Sequence, residues 1–347
     1  MAAGLLEGLH RAQEVDLETI LLNEGRLERT VRGCGIPTTV LDEGGLSFPG
    51  LASRVRARIL RDPPDLVHSH RYKENLLAWI ATRGLPGTRL VATQHGMPEM
   101  HTTGSPVRQR FLSTANFYLL SSRFDRTVAV SGEIRDAFLT RHRFRPDRVR
   151  VVHNGISLPV FRARESANRP IVIGSAGRFF PVKDYPLMVD VARDLLREYP
   201  DARFELAGDG PDRGKIESRV RRYGLEDRFA LRGFQEEMSG FYRNLDLYLS
   251  TSIHEGIPMS VLEAMAHGIP VVAPDVGGIR EIVRDGIEGF LVRARTPEGF
   301  GKKCLELIRD RAWLEAMGKA ARERVADGFT VDRMTRNYLE IYRDLLS

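Results

Sequence analysis

Two glutamates eight positions apart, Glu255 and Glu263, flank the segment whose residue types and spacing are best suited to chemistry. Gly256 and Pro258 between them predict a turn followed directly by the first residue of a short helix. The unpaired amides and positive dipole end of a helix N-terminus bind anions. We therefore expect an anion site beside the two carboxylates, directly after Gly256 and near Ile257, Pro258, Met259 and Ser260.

Taken alone, Glu255 and Glu263 could equally be solvent-exposed surface residues without a binding role, because most glutamates are solvated. A similar alternative applies to Arg178 and Lys183, which follow a predicted strand near 171–175. Two cations five positions apart are usually exposed and interact weakly. A functional interpretation of these four residues therefore needs support from the rest of the chain.

The elements that position these residues follow a regular pattern. Short β-branched runs alternate with segments of helical periodicity along nearly the whole chain. In the first half, strands are predicted near 17–22, 38–41, 66–69, 89–93, 127–130 and 149–152. In the second half they are predicted near 171–175, 204–207, 229–232, 247–251, 270–273 and 289–292. The pattern predicts an α/β protein with parallel sheets in two domains of similar size.

The boundary between these domains is expected shortly after the turn dipeptide Asn154-Gly155. Residues 158–170 contain two prolines and several charges without a clear period, which is typical of a linker. We therefore expect an N-terminal domain over 1–157 and a C-terminal domain over 171–330. A final helix over 331–347 carries an apolar stripe that must pack against another element: Met334, Tyr338, Ile341 and Leu345.

Positive charge is concentrated in the first half, where residues 1–157 carry 22 Lys and Arg against 16 Asp and Glu. Residues 158–347 carry 30 of each sign, so the net charge of +6 belongs to the first half. Arginines share one side of a predicted helix over 51–61 (Arg54, Arg58 and Arg61) and recur in 141–150. Since polybasic surfaces bind anionic partners, we expect the first half to dock on an anionic surface, either a membrane or an anionic glycan, helped by apolar residues at 111–112 and 117–120.

A genome-wide preference for arginine is the alternative explanation, since only six of the 52 cations are Lys. For the same reason the basic balance does not by itself predict a nucleic-acid partner. The sequence shows no apolar run long enough for a membrane span or a signal peptide, so we expect a cytoplasmic protein. Cys34 and Cys304 lie too far apart for a zinc motif or a disulfide framework.

Several segments, in matching order, resemble the family 4 retaining glycosyltransferases of GT-B fold. The most specific is the Glu255 to Glu263 segment, with Gly-Ile-Pro-Met-Ser inside it and Glu-Ala-Met-Ala at its end. Gly177-Arg178 through Lys183-Asp184, Asp65-Leu-Val-His-Ser-His70 and Thr93-Gln-His95-Gly96 are similar to further segments of that family. The resemblance covers nearly the whole chain and implies two Rossmann-like domains facing across a cleft, with the last helix packed back on the first domain.

This resemblance implies transfer of a sugar from a nucleotide diphosphate sugar to a glycan or lipid-linked acceptor, with retention at the anomeric carbon. Arg178 and Lys183 are then expected to hold the diphosphate as negative charge develops on it. Glu263 is assigned to the ribose hydroxyls, whereas Glu255 and His95 are assigned to the donor sugar. Gly177 belongs to the same donor-binding set.

Metal-independent chemistry is expected, because no two Asp residues stand at i and i+2 as in the metal clamp of the other major glycosyltransferase architecture. No residue is identified as a covalent nucleophile, so the leaving phosphate is expected to help deprotonate the acceptor. The resemblance further implies a role in cell-surface polysaccharide or glycolipid synthesis at the inner face of the membrane, without a nucleic-acid partner.

The beginning of the chain departs from the family pattern. The residues from Met1 to His10 are helix-like, where the family usually has an apolar strand and a glycine-rich loop. We therefore expect the N-terminal domain to lack its first strand. Two alternatives stay open: a nucleotide-sugar epimerase of similar fold, and an inactive, N-terminally truncated paralogue. A dinucleotide-dependent oxidoreductase is disfavoured, because no G-x-G-x-x-G follows a predicted strand.

Overall fold

The computed structural model describes residues 1–96, 106–160 and 169–347, with the side chains of the second range described from residue 112 onward. These residues form two compact units. The first comprises Met1–Gly155 together with Val331–Ser347, and the second comprises Ile156–Thr330. Most of the predicted linker, residues 161–168, lies outside the described residues.

Strands and helices alternate through both units, as the sequence pattern predicts. The strands are β1 (Thr19–Leu21), β2 (Thr38–Val40), β3 (Leu66–Ser69), β4 (Arg89–Gln94), β5 (Arg126–Ala129), β6 (Val149–Val151), β7 (Val172–Ala176), β8 (Arg203–Ala207), β9 (Phe229–Gly233), β10 (Leu247–Leu249), β11 (Val271–Pro274) and β12 (Gly289–Val292). The helices are α1 (Ala2–Ala12), α2 (Arg26–Gly33), α3 (Phe48–Arg61), α4 (Tyr72–Thr82), α5 (Pro106–Arg123), α6 (Gly132–Arg141), α7 (Tyr185–Glu198), α8 (Arg213–Arg222), α9 (Met238–Asn244), α10 (Met259–Ala266), α11 (Ile279–Ile282), α12 (Pro297–Ile308), α13 (Arg311–Gly328) and α14 (Val331–Leu346).

The first unit contains two separate parallel sheets among its described residues. One has the order β3-β4-β5-β6, and the other is the pair β1-β2. Both lie under one layer of helices, because Ile20 of β1 and Val67 of β3 pack against the same cluster of apolar residues from α3 and α4. β1 and β3 thus each have one edge that no described strand pairs with.

Helix α14 completes the core of this unit. Its buried residues Met334, Tyr338 and Ile341 pack in one cluster with Leu5 of α1 and Val91 of β4. These three residues belong to the apolar stripe that the sequence shows at helical spacing. The end of the chain therefore stabilises the fold of its first half by burying apolar surface.

Helix α5 corrects part of the membrane-docking hypothesis. Phe117 and Leu120 are only 3% and 1% exposed, so they pack in the core and cannot contact a bilayer. Tyr118 is 71% exposed between them, whereas the side chains of residues 106–111 lie outside the described residues. The sequence places these residues next to arginines but does not show which face of the helix is buried.

The described residues of the second unit form one six-stranded parallel sheet with the order β12-β11-β10-β7-β8-β9. The chain builds one half outward from β7 and then returns to build the other half outward from β10. β7 and β10 are therefore neighbours at the point where the strand order reverses. Ligands of doubly wound α/β sheets bind at the carboxyl ends of the strands at this point.

None of the described helices is both long enough and apolar enough to cross a bilayer. This finding concerns the described helices alone.

Candidate functional site

Lys183 and Glu255 come into direct contact at the reversal point of the second sheet. Lys183 ends a short 3-10 turn after β7, and Glu255 lies in the loop after β10. The Lys183 Nζ donates a hydrogen bond to Glu255 Oε1 at 2.6 Å, and the two side chains are 20% and 13% exposed. The structure thus joins a cation and a carboxylate that are 72 residues apart in sequence.

The loop that carries Lys183 is fixed to the loop after β10 by several hydrogen bonds. The Thr251 hydroxyl lies 3.0 Å from the carbonyl oxygens of both Lys183 and Asp184, and donates to them. The Ile253 amide donates to the Val182 carbonyl at 2.7 Å. Arg295 binds the Asp184 carboxylate at 2.7 Å, and Asp184 itself adopts a left-handed backbone conformation with φ 47°. The position of Lys183 is therefore set by main-chain contacts as well as by its own ion pair.

Glu255 is held at both its main chain and its carboxylate. The Gly278 amide donates to the Glu255 carbonyl at 3.1 Å, and the Ser252 hydroxyl donates to Glu255 Oε1 at 2.7 Å. A Cβ at position 278 would lie 1.8 Å from the Gly256 carbonyl oxygen, so only glycine permits this approach of the two loops. Gly278 therefore positions the start of the segment that carries the predicted anion site.

Helix α10 begins at Met259, one residue later than the sequence predicts, and Pro258 is its N-cap. Proline offers no side-chain acceptor, and no side chain of the described residues caps the helix. The first amides, including those of Met259 and Ser260, have no acceptor within the helix and remain suited to an anion. The buried hydroxyl of Tyr248 bonds to the main chain of Ala176 at the end of β7: it donates to the Ala176 carbonyl at 3.1 Å and lies 3.2 Å from the Ala176 amide.

Glu263 lies on α10, one turn from its start, and is bound from α9. The Tyr242 hydroxyl donates to Glu263 Oε2 at 2.7 Å, and Tyr242 is only 1% exposed. Burial raises the pKa of Tyr242 well above its ordinary value, so the phenol stays protonated and remains a donor. The carboxylate of Glu263 is thereby held in one orientation.

Arg178 and Gly177 occupy the loop directly after β7. Arg178 is exposed, and its guanidinium carbon lies 4.9 Å from the centre of the Phe180 ring, a cation–π contact. Gly177 has φ +156°, and a Cβ there would lie 2.7 Å from the Tyr185 hydroxyl. A glycine is therefore required where the chain turns from β7 toward Lys183.

His95 belongs to the first unit and directly follows β4. Its Nε2 is 3.2 Å from His70 Nδ1, and the two rings are stacked. Burial, together with the positive charges of the N-terminus and Arg71, lowers the pKa of His95 to about 4. His95 is therefore a neutral imidazole at neutral pH, which can donate or accept a hydrogen bond.

Three residues of the site were not identified from the sequence: Ser252, Tyr242 and Tyr248. Ser252 stands three residues before Glu255, and a hydroxyl at that separation in a loop is a signal that could have been used. The two tyrosines carry no such signal, because they reach α10 and β7 from elements distant in sequence. Across the described residues, no group of three or more His, Cys, Asp or Glu side chains is arranged to hold a metal ion.

Two family models match the chain in succession. The model described as Glycosyltransferase Family 4 matches residues 2–159, and the model described as Glycosyl transferases group 1 matches residues 160–324. The second match contains Arg178, Lys183, Glu255 and Glu263. His95 lies in the first match.

Similar proteins include the D-inositol 3-phosphate glycosyltransferase of Kribbella flavida, 28% identical over 314 residues, which are 83% of this chain and 74% of the relative. The N-acetyl-alpha-D-glucosaminyl L-malate synthase of Bacillus anthracis is 27% identical over 309 residues, 85% of this chain and 79% of the relative. Among solved structures, Anabaena HepE in complex with UDP and glucose superposes with a TM-score of 0.84 at 20% identity, over 99% of this chain and 96% of that chain.

The sequence matches and the fold agree. Both family models describe glycosyltransferases, and between them they match almost all of the chain. The parallel α/β sheets of both units and the fold similarity to HepE agree with this assignment. The chain belongs to the glycosyltransferases of GT-B fold.

Proposed function

We propose that the protein transfers a sugar from a nucleotide diphosphate sugar to a hydroxyl group of a glycan or lipid-linked acceptor, with retention of anomeric configuration. The observation that carries this proposal is the contact between Lys183 and Glu255 beside the N-terminus of α10. A cation and free helix amides suit a diphosphate, and a carboxylate suits sugar hydroxyls. The complexes of the structurally similar Anabaena HepE with UDP and with UDP-glucose support the same class of donor.

The proposed reaction breaks the bond between the anomeric carbon and the diphosphate oxygen and forms a bond from that carbon to the acceptor oxygen on the same face. The acceptor proton passes to the departing phosphate. Negative charge grows on the diphosphate during this step, and in this proposal Arg178, Lys183 and the amides of Met259 and Ser260 stabilise it. These groups take the role that a metal ion has in other transferases, so we propose that the reaction needs no metal.

The two glutamates are assigned different contacts in this proposal. Glu263, held by Tyr242, binds the ribose hydroxyls of the donor, a contact made equally in the ground state and the transition state. Glu255 binds hydroxyls of the transferred sugar, whose geometry changes as the bond breaks. Glu263→Ala should therefore mainly raise the donor KM, and Glu255→Ala should mainly lower kcat. Indistinguishable kinetics for the two variants would refute this division.

Product analysis tests the function itself. Purified protein is incubated with a panel of nucleotide diphosphate sugars and hydroxyl acceptors, with and without EDTA, and NMR records the anomeric configuration of the product. The proposal predicts one consumed donor, a product with the donor's configuration and no effect of EDTA. An interconverted nucleotide sugar without transfer would instead identify an epimerase, an alternative that the comparisons do not support.

We further propose that the basic first unit binds an anionic membrane carrying the acceptor. Arg54 and Arg61 of α3 are exposed, as are several arginines of 141–150, whereas Arg58 forms an ion pair with Glu18. Each cation near an anionic leaflet contributes roughly 1 kcal/mol, so a few suffice for reversible binding. Co-sedimentation should require anionic vesicles and weaken with salt. Equal binding to neutral vesicles, or none to either, would contradict the proposal.

A further inference from the structure

We infer that Ser252 is a positioning residue that holds one carboxylate oxygen of Glu255 and thereby presents the other oxygen to the donor sugar. The inference rests on the proposed function, because it deepens the role of Glu255 in that reaction. The observations behind it do not depend on that reaction. They are the hydrogen bonds to the Glu255 carboxylate and the burial of the serine hydroxyls beside it.

A chain of two buried hydroxyls ends on this carboxylate. Ser252 is 2% exposed and Ser250 is 5% exposed. Ser252 Oγ lies 2.7 Å from Glu255 Oε1, and Ser250 Oγ lies 3.4 Å from Ser252 Oγ. A carboxylate only accepts hydrogen bonds and a hydroxyl has one proton, so Ser252 donates to Glu255 and Ser250 donates to Ser252. The carboxylate therefore fixes Ser252 as a donor to Glu255, whereas the contact from Ser250 is long for a hydrogen bond between two hydroxyls.

All hydrogen bonds that the described residues donate to this carboxylate end on Oε1. Lys183 donates from 2.6 Å and Ser252 from 2.7 Å, and no described residue donates to Oε2. The Gly278 amide meanwhile holds the Glu255 carbonyl. With the main chain and one oxygen fixed, the carboxylate has a defined orientation, and Oε2 is the oxygen left for a ligand hydroxyl.

Lys183 alone cannot supply this orientation during turnover. Its ammonium is carried on a flexible stem and is also assigned to the diphosphate, so its geometry changes when the donor binds and leaves. Ser252 has a short side chain, and its loop is fixed by the bonds of Thr251 and Ile253 to the turn that ends at Lys183. It can therefore hold Oε1 throughout the reaction.

Removing the hydroxyl with Ser252→Ala tests this inference. The free energy of one hydrogen bond to a charged group corresponds to about a ten-fold change in rate. We therefore expect Ser252→Ala to lower kcat about ten-fold and to change the donor KM much less. Ser250→Ala is the matched control, because it makes the same change in a buried serine of the same loop that does not touch Glu255. We expect it to change kcat by less than about three-fold, since its bond to Ser252 is long.

A double variant separates positioning from a general structural role. If Ser252 acts through Glu255, Ser252→Ala should have no further effect on kcat when Glu255 is already alanine. Full additivity of the two changes, or a Ser252→Ala variant with wild-type kcat, would overturn the inference while leaving the proposed function intact. A wild-type protein that consumes no donor in the same assay would contradict the proposed function, and the inference with it.

Discussion

Acid should destabilise the first unit through His68, a half-buried imidazole beneath α14. Its Nδ1 lies 2.7 Å from the Tyr342 hydroxyl and its Nε2 lies 2.8 Å from the Thr93 hydroxyl. Burial, and to a smaller extent the nearby His95, lowers the pKa of His68 to about 3. Its ring also contacts His70 and Tyr338, and no described carboxylate contacts it to compensate a positive charge.

The sign and size of the effect follow from this lowered pKa. The folded state keeps His68 neutral, while the unfolded chain binds a proton below the ordinary pKa of 6.5. Stability is therefore fully present above that pKa and falls as the pH is lowered toward the folded value. At pH 5 this one group should lower the free energy of unfolding by about 2 kcal/mol relative to neutral pH.

The two tryptophans allow the effect to be measured in one unit. Trp79 lies on α4 in the first unit and Trp313 on α13 in the second, so Trp313→Phe leaves a fluorescent probe of the first unit alone. Urea unfolding at pH 7 and pH 5 is then compared with and without His68→Gln. We expect the acid-induced loss to be about 2 kcal/mol smaller in the glutamine variant. Equal losses in both proteins would refute the assignment.

Other changes test the supporting contacts. Tyr242→Phe should raise the KM for the nucleotide sugar several-fold with little change in kcat, because the Glu263 carboxylate loses the buried hydroxyl that holds it. The control is Tyr223→Phe, which removes a hydroxyl bound to Asp190 in the same unit and should leave this KM unchanged. Gly177→Ala should lower the free energy of unfolding by about 2 kcal/mol through backbone strain. The control is Gly301→Ala on α12, where an added Cβ meets no atom within 4 Å, so the free energy of unfolding should stay unchanged or rise. Amide exchange should be faster at the unpaired edges of β1 and β3 than in β4, and equal protection would contradict the split sheet.

Local patterns predicted the elements well, because they depend on neighbouring residues. The strands at 66–69 and 289–292 have the predicted bounds, and the final helix ends one residue earlier than predicted. Short apolar runs mark the two strands, and an apolar stripe at helical spacing marks the helix. The α/β class with parallel sheets is confirmed. Pro258 is the N-cap of α10 rather than its first helical residue, a difference of one position at a helix end, where the boundary depends on how the terminal residue is assigned.

Contacts between elements that are distant in sequence could not be predicted from the spacing of residues within each element. The pairing of Lys183 with Glu255 depends on β10 lying beside β7, and sheet order is not encoded in either loop. The same limit explains the error at Phe117 and Leu120, where apolar residues that suit a membrane equally suit a core. Ser252 was overlooked because its role is visible only once the direction of the Glu255 carboxylate is known.

Removal of the Lys183 charge tests the central claim most directly. Single-turnover measurements with the donor identified in the product assay would compare the wild type, Lys183→Ala and Lys215→Ala, a control lysine on α8 that pairs with Asp212. Because the charge on the leaving diphosphate develops in the transition state, we predict a rate at least about 100-fold lower for Lys183→Ala and an unchanged rate for Lys215→Ala. A Lys183→Ala variant that folds and transfers sugar at a near-normal rate would contradict the account.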